Sequence, residues 1–587
     1  MSTVTPLASR LDRLVREAMA AGLPAAAAGA DPQVRPSEHA DYQANGLLAL
    51  AKPLRTSPRA LAEAVSAGLA DDELIARCEV SGPGFLNLTL ADEAIWRQLA
   101  SRHDDPRLGI PGTDPGRVTV VEYSQPNIAK EMHVGHLRST IIGDALVRVL
   151  EFDAAKVIRQ NHLGDWGTQF GMLIEYLFDQ GPEQPGAGGG ATGSEAISRL
   201  NAMYRAARQR FDSEPEFADR ARLRVVALQA GDPATLAGWR EIVAESKVYF
   251  NDIYRRLGVL LTDDDAVGES FYNAFLQEIA TDLEERGIAV RSDGALCVFF
   301  DDILGPDGRP TPLMVQKSDG GFGYAITDLA AVRYRVGTLH ASRILYIVDA
   351  RQSLHFRMVF ATARRAGYLP ADVEAVHVPF GSVLGPDGRP LKTRAGETVR
   401  LISLLDEAVE RARDTVAEKN PSLDPATLAH RAAEVGIGAV KYADLSVGRT
   451  RDYVFDLDRM VSLQGNTGVY LQYAHARIQS ILRKVPPGLP TAISASLPLE
   501  PAERKLAMLL DGLDEALSAV RENYEPHRLS GYLYALAQAF TDFYETCPVL
   551  KAPTAGARAN RIALCRLTGS TLKLGLELLG VAAPDQL

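Results

Sequence analysis

The sequence predicts an α/β protein with a doubly wound parallel sheet at its centre, an α+β unit before it and an all-α bundle after it. Three observations lead there. Short apolar runs, Val118 to Val121, Val157-Ile158, Leu345 to Val348 and Val376 to Val378, alternate with helical stretches such as Phe356 to Ala366, the order of βαβ units around a parallel sheet. Ahead of them, helical segments Leu47 to Leu54 and Pro58 to Gly68 lead into the alternating strand Phe85-Leu86-Asn87-Leu88-Thr89-Leu90. Beyond about Leu401 strand patterns stop and helical periodicity takes over, as in Leu506, Leu509, Leu513, Leu517 and Val520 on one face.

The chain has 587 residues, more than one core of roughly 100–200 residues supports, so three domains are expected. The first covers 1–106. Its opening helix carries Leu7, Leu11 and Leu14 but interleaves Asp12, Glu17 and several arginines, so it lacks a secretory apolar core and reads as part of a cytoplasmic protein. The stretch Arg107 to Gly116, rich in Pro and Gly, reads as a linker, and the central domain covers 107–400. Its first strand is followed by a loop and a long helix with Leu137, Ile141, Ala145 and Val149 on one side. Residues from about 179 to 256 are mostly charged helix opened by a Gly-rich loop, an insertion into the sheet domain. In that loop Gly188 to Gly193 satisfies G-x-G-x-x-G but follows Pro-rich sequence instead of a strand, so it reads as a flexible loop. The hexapeptide Gly-Pro-Asp-Gly-Arg-Pro, at Gly305 to Pro310 and again at Gly385 to Pro390, is turn chemistry. The helical domain covers 401–587, and Val485-Pro486-Pro487-Gly488-Leu489-Pro490 divides it because it cannot be helical.

Composition removes several classes of function. The chain is 46% hydrophobic and 23% charged, and no apolar run is long enough to cross a bilayer. Cys78, Cys297, Cys547 and Cys565 lie too far apart for a disulfide framework or the close pairs of a zinc site. A net charge of −11 disfavours general adhesion to nucleic acid, so any such contact must use local basic patches.

The chemistry concentrates in one segment, Glu122-Tyr123-Ser124-Gln125-Pro126-Asn127-Ile128-Ala129-Lys130-Glu131-Met132-His133-Val134-Gly135-His136-Leu137-Arg138, lying between the first strand and its helix. Strand, loop and helix amino terminus is where α/β sheets bind ligands. Two histidines three apart at a helix start can donate hydrogen bonds to a phosphate as charge builds on it, while Gly135 permits close backbone approach. They read as transition-state stabilisers and not as metal ligands. A bare His-x-Gly-His pair is weak evidence; its flanks make it specific.

The segment resembles the HIGH signature of class I aminoacyl-tRNA synthetases. Its extended form, with Pro126-Asn127 before it and Leu137-Arg138-Ser139-Thr140 after, is similar to that of arginyl-tRNA synthetases. The block from Asn161 to Gly171, reading NHLGDWGTQFG, the stretch Gly268-Glu269-Ser270-Phe271-Tyr272, and the carboxy-terminal helices carry the likeness along nearly the whole chain. The resemblance implies a Rossmann-like catalytic domain, a tRNA-binding added domain before it and an anticodon-binding bundle after it. It also implies arginine activation by ATP, with magnesium on the nucleotide, and transfer to tRNA(Arg) by a cytoplasmic monomer that needs tRNA present for activation.

The resemblance assigns roles to particular residues. Glu122 and Asp328 would hold the guanidinium, which suits a planar fork of donors. Tyr324 would pack beside it, and Asn127 and Gln352 would fix the amino-acid end. His133, Gly135 and His136 would meet ATP. The run Pro390-Leu391-Lys392-Thr393-Arg394-Ala395-Gly396 matches the KMSKS signature, with Lys392 and Arg394 keeping it cationic and Thr393 in place of the second lysine. Lys130 is the candidate to supply the missing charge. Gln125 stands where the family often has a small residue. In Asp41-Tyr42-Gln43-Ala44-Asn45, Tyr42, Gln43 and Asn45 would touch tRNA. The mixed rings and positive charges between Tyr470 and Tyr544 are expected to include anticodon contacts, though rings at helical spacing are more often core. A class I synthetase for another amino acid, a nucleotidylyltransferase that uses no tRNA, and a synthetase-like RNA-binding protein without catalysis remain alternatives at this point.

Overall fold

The computed structural model describes residues 4–27, 29–70, 72–103, 105–181, 193–305, 308, 310–391, 399–489 and 492–587. Five strands make the central sheet, in the order Glu374–Phe380, Arg343–Asp349, Val118–Glu122, Lys156–Leu163, Ala266–Gly268. Every neighbouring pair is parallel. Thr119, Val120, Val121 and Glu122 are all buried, the near-continuous burial of a strand covered on both faces. The chain moves from Val118–Glu122 to Lys156–Leu163 on one side and returns later to Arg343–Asp349 on the other. Strand order therefore reverses between the first strand and Arg343–Asp349, and the crevice at their carboxyl ends is the ligand position of such sheets.

Helix Val134–Phe152 leaves the first strand and buries Leu137, Ile141, Ala145 and Val149, the side expected from the sequence. The insertion is helical as read, with Gly193–Ser213, Pro215–Gln229 and Pro233–Leu257 packed against the preceding helix Thr168–Gln180. Residues 182–192, which hold most of the Gly188 to Gly193 run, lie outside the described residues.

Three features depart from the pattern read in the sequence. Strands Val290–Ser292, Ala295–Val298 and Leu313–Gln316 form a small antiparallel sheet. Runs of three or four residues are too short to show a period. Ala295–Val298 and Leu313–Gln316 are buried in a second apolar core shared with helices Glu269–Glu285 and Tyr324–Gly337, while Val290–Ser292 stays largely exposed. Strand pairing also reaches past Leu401, where Tyr453–Val454 lies parallel to Val383–Leu384. The apolar face from Leu506 to Val520 belongs to two helices, Pro501–Asp511 and Leu513–Asn523, that part at Gly512, and Leu509 is only half-buried. The second Pro-Asp-Gly turn forms as read, closed by Gly385 N–H donating to the Arg389 carbonyl at 2.7 Å with Gly388 at φ 71°.

The first domain is a four-stranded antiparallel sheet, Val34–Pro36, Tyr42–Ala44, Phe85–Leu90, Ile75–Ser81, backed by helices Leu7–Gly22, Leu47–Leu54 and Pro58–Ala67. It docks on the helical domain through buried charge. Asp511 accepts from the Leu7 backbone N–H at 2.6 Å and pairs with Arg102 at 2.7 Å. The helical domain grips the sheet domain as well, through the buried pair Arg138–Asp444 at 3.1 Å. No helix among the described residues is long and apolar enough to cross a membrane.

Candidate active site

The loop that follows the first strand is held in a costly shape. Ser124, Gln125 and Ala129 have φ of 76°, 55° and 61°, left-handed values that cost non-glycine residues on the order of 1–3 kcal/mol each. Surrounding elements fix it. Ser124 N–H donates to Ser139 Oγ at 3.0 Å and Gln125 N–H to Asn161 Oδ1 at 3.1 Å. The helical insertion contributes Ser246 Oγ, which accepts from Ala129 N–H at 3.0 Å, and Tyr249 OH, which accepts from Met132 N–H at 3.2 Å. Asn127 bridges to Gly164, where a Cβ would stand 2.4 Å from Asn127 Oδ1, so only glycine fits there.

The two histidines cap their helix reciprocally. His133 Nδ1 accepts from Gly135 N–H at 3.0 Å, and His136 Nδ1 accepts from His133 N–H at 3.1 Å. A Cβ at residue 135 would meet the His133 ring at 2.9 Å, so Gly135 is what lets that ring fold back. With both Nδ1 atoms accepting, the neutral rings carry their protons on Nε2. Both rings are neutral: burial and then His133 push His136 down to about 3, and burial and then Arg351 lower His133. Two Nε2–H donors on rings 4.0 Å apart therefore stand at a helix amino terminus, whose dipole adds to their attraction for an anion.

Residues past the second signature return to this point. His133 forms an antiparallel bridge with Arg400, Leu401 N–H donates to the Met132 carbonyl at 2.9 Å, and Arg400 pairs with Glu131 at 3.0 Å. Lys392 and Arg394, with Thr393, lie outside the described residues. Lys130 is half-buried, its Nζ 5.2 Å from the centre of the Tyr204 ring on the insertion.

At the sheet's carboxyl edge, lined in part by the strand end and loop that lead to the histidines, lies a cavity of about 280 Å³. All five residues expected for arginine line it: Glu122, Asn127, Tyr324, Asp328 and Gln352. Glu122 ends strand Val118–Glu122, Gln352 follows strand Arg343–Asp349, and Tyr324 and Asp328 stand four apart on helix Tyr324–Gly337. Tertiary folding adds Gln125, His162, Glu269 and His355. His355 Nε2 meets Asp328 Oδ2 at 2.5 Å, and its ring lies 4.8 Å from that of Tyr324. Burial, then Asp165 and Asp328, push the Glu269 carboxyl up to about 7. Glu122 is engaged from the protein side: Oε1 accepts from Gln125 Nε2 at 2.7 Å, and Oε2 pairs with Arg335. Gln125, larger than the residue the family often carries there, thus steadies the pocket carboxylate. Glu269 stood in a quoted stretch without an assigned role, while nothing in the spacing of His355 signalled its pairing with Asp328.

In the first domain Tyr42 points into the core at 6% exposure, as strand alternation requires, while Gln43 donates to Asn87 at 2.7 Å. Of the three expected tRNA contacts, Gln43 and Asn45 keep part of their side chains at the surface. In the helical domain His475 and Phe540 are core, whereas Tyr473 is exposed and Arg477 lies 4.5 Å over the Tyr544 ring.

A doubly wound sheet, a neutral histidine pair at the helix after its first strand and an acidic amino-acid-sized cavity alongside define a class I aminoacyl-tRNA synthetase. Residues 107–457 match the family model described as tRNA synthetases class I (R), catalytic domain. Residues 471–587 match the DALR anticodon binding domain, and 9–90 the arginyl tRNA synthetase N terminal domain. The chain belongs to the arginyl-tRNA synthetase family. It is 60% identical to an arginine–tRNA ligase of Frankia casuarinae, covering 100% of this chain and 99% of that one. It is 54% identical to one of Streptomyces avermitilis, covering 100% of both. Among solved structures, Plasmodium falciparum arginyl-tRNA synthetase superposes with a TM-score of 0.84 at 29% identity, covering 100% of both chains. The Thermus thermophilus enzyme gives 0.79 at 27%, covering 99% of this chain and 100% of that one.

Proposed function

We propose that the cavity holds L-arginine, that the His133–His136 pair meets the ATP phosphates, and that the chain charges tRNA(Arg). The activity is that of an arginine–tRNA ligase. The arginine carboxylate attacks the α-phosphorus of ATP, pyrophosphate leaves, and a ribose hydroxyl of the terminal tRNA adenosine then takes the arginyl group from the adenylate. The protein's part is to position the reactants and stabilise developing charge. The two Nε2–H groups stabilise the negative charge as neutral hydrogen-bond donors, burial having lowered the affinity of both rings for a second proton.

In the pocket, Asp328 is the carboxylate most open to an incoming guanidinium. Tyr324 covers the side chain, and Asn127 and Gln352 receive the α-amino and carboxylate end. Magnesium enters with the ATP phosphates, and no residue here is assigned to it. Lys392, Arg394 and Lys130 are the cations proposed for the departing pyrophosphate. Gln43 and Asn45 are proposed for the outer part of tRNA, and a cytoplasmic monomer is the proposed working form.

One observation carries this reading: five residues separated by up to 230 positions in sequence, chosen for one substrate, line one cavity. Charging of tRNA(Arg) with labelled arginine, lysine and citrulline tests it. Only arginine should be transferred, since a site built for a forked cation leaves a carboxylate unmatched with either rival. Comparable charging with lysine would overturn the pocket assignment.

A further inference from the structure

Behind the pocket carboxylate Glu122 lies an arginine of the protein's own. Arg335 is fully buried, with 0% of its surface exposed, three turns along the helix that carries Tyr324 and Asp328. Its Nε donates to Gln160 Oε1 at 2.6 Å, its guanidinium lies 5.0 Å over the Tyr346 ring, and Nη2 pairs with Glu122. Glu122 raises the guanidinium's affinity for its proton further, so the charge is permanent. The carboxylate expected to receive the substrate is thus already matched by a side chain of the same chemistry.

Charge balance shows what this does. Glu122 and Asp328 place two carboxylates at one small cavity, and Glu269 adds a third that stays half protonated near neutrality. Substrate arginine brings one guanidinium. With Arg335 cancelling Glu122, the negative charge left for that cation is carried by Asp328, which also meets His355, and in part by Glu269. The Tyr272 and Tyr346 hydroxyls also interact with the Arg335 guanidinium, so Glu122 is aimed by that buried cation together with Gln125.

We propose that Arg335 is a positioning and specificity-determining residue for the amino-acid substrate, holding Glu122 in place and neutralising it so that the pocket accepts one guanidinium. This rests on the arginine pocket proposed above. Arg335→Met keeps an unbranched apolar stem and removes the guanidinium with its charge, leaving Glu122 buried without its cation, a state that raises a carboxyl pKa.

The experiment is pyrophosphate exchange with tRNA present, on wild type, Arg335→Met and Glu122→Gln/Arg335→Met, with melting curves for each. Arg335→Met should raise the KM for arginine about tenfold or more while leaving the KM for ATP within about twofold. Besides the Glu269 ionisation near 7 that all three proteins share, its kcat/KM for arginine should show a second ionisation above the ordinary carboxylate range, rising with pH, that neither wild type nor the double variant shows. The double variant, with no buried charge left unpaired, should have a lower arginine KM than Arg335→Met. A folded Arg335→Met with unchanged arginine KM and pH profile overturns the proposal, as does a double variant worse than the single one. A loss confined to melting temperature assigns Arg335 to stability and also overturns it. Failure of wild type to activate arginine at all would instead refute the pocket reading, so the two failures are distinguishable.

Discussion

Replacing His136 by alanine separates catalysis from folding in this protein. The side chain does two jobs: Nδ1 accepts the His133 backbone N–H at 3.1 Å, which leaves Nε2–H as the ring's donor. Losing the cap acceptor costs about 1 kcal/mol, small beside the roughly 5–15 kcal/mol of a folded domain. Losing one donor aimed at a transition-state oxyanion costs roughly 2.7–4 kcal/mol, or about 10²–10³ in turnover. His136→Ala should therefore fold, bind arginine and tRNA nearly as before, and lose about 10²–10³ in the kcat of pyrophosphate exchange. A second readout follows from titration. His136 falls from its ordinary 6.5 to about 3 in the fold, so below 6.5 the unfolded chain takes up a proton that the native one refuses. Its contribution to stability is present above 6.5 and lost as pH falls toward 3. The variant should accordingly show a shallower fall in Tm than wild type across that window. A folded His136→Ala with exchange within about threefold of wild type would refute the donor assignment.

Asp328→Asn should raise the KM for arginine by about tenfold to a hundredfold, the worth of a hydrogen bond to a charged group, with the KM for ATP nearly unchanged; steady-state exchange measures both. Glu269, pushed up to about 7, should lose its proton when a guanidinium enters the cavity. Arginine affinity should then rise with pH through about 7, and calorimetry in buffers of different ionisation enthalpy should detect proton release that Glu269→Gln abolishes. The same raised carboxyl contributes stability below 4.5 that is lost as pH rises through about 7, so Glu269→Gln should gain Tm relative to wild type toward the upper end of that window. Lys130→Ala should lower turnover by roughly 10² with little change in arginine KM, as for removal of one charge-stabilising group. Unchanged turnover would leave Lys130 as no more than a contact with Tyr204.

Most of the fold was legible because long parallel strands and amphipathic helices repeat their pattern over many residues. Val118–Glu122 and Val134–Phe152 are examples, and both stand close to where their periodicity put them. What escaped was short or decided by tertiary burial: Ala295–Val298 is four residues long, and the Leu506 to Val520 face is divided by a break that periodicity alone does not reveal. The pocket was legible in part. Glu122, Asn127, Tyr324, Asp328 and Gln352 were named from signature positions, and the fold brings them together. His355 and Arg335 were not, because an ion pair between residues 213 apart, such as Arg335 with Glu122, leaves no trace in local spacing. Tyr42, expected among the tRNA contacts, is turned toward the core by strand alternation, which a five-residue motif does not reveal.

The most direct test of the account is pyrophosphate exchange by the wild-type protein across the twenty amino acids, run with and without tRNA(Arg). The site as described predicts exchange with arginine alone, and family membership predicts that it depends on tRNA. Exchange with lysine at a comparable rate, or none with arginine when tRNA is present, would contradict the assignment of the cavity to arginine.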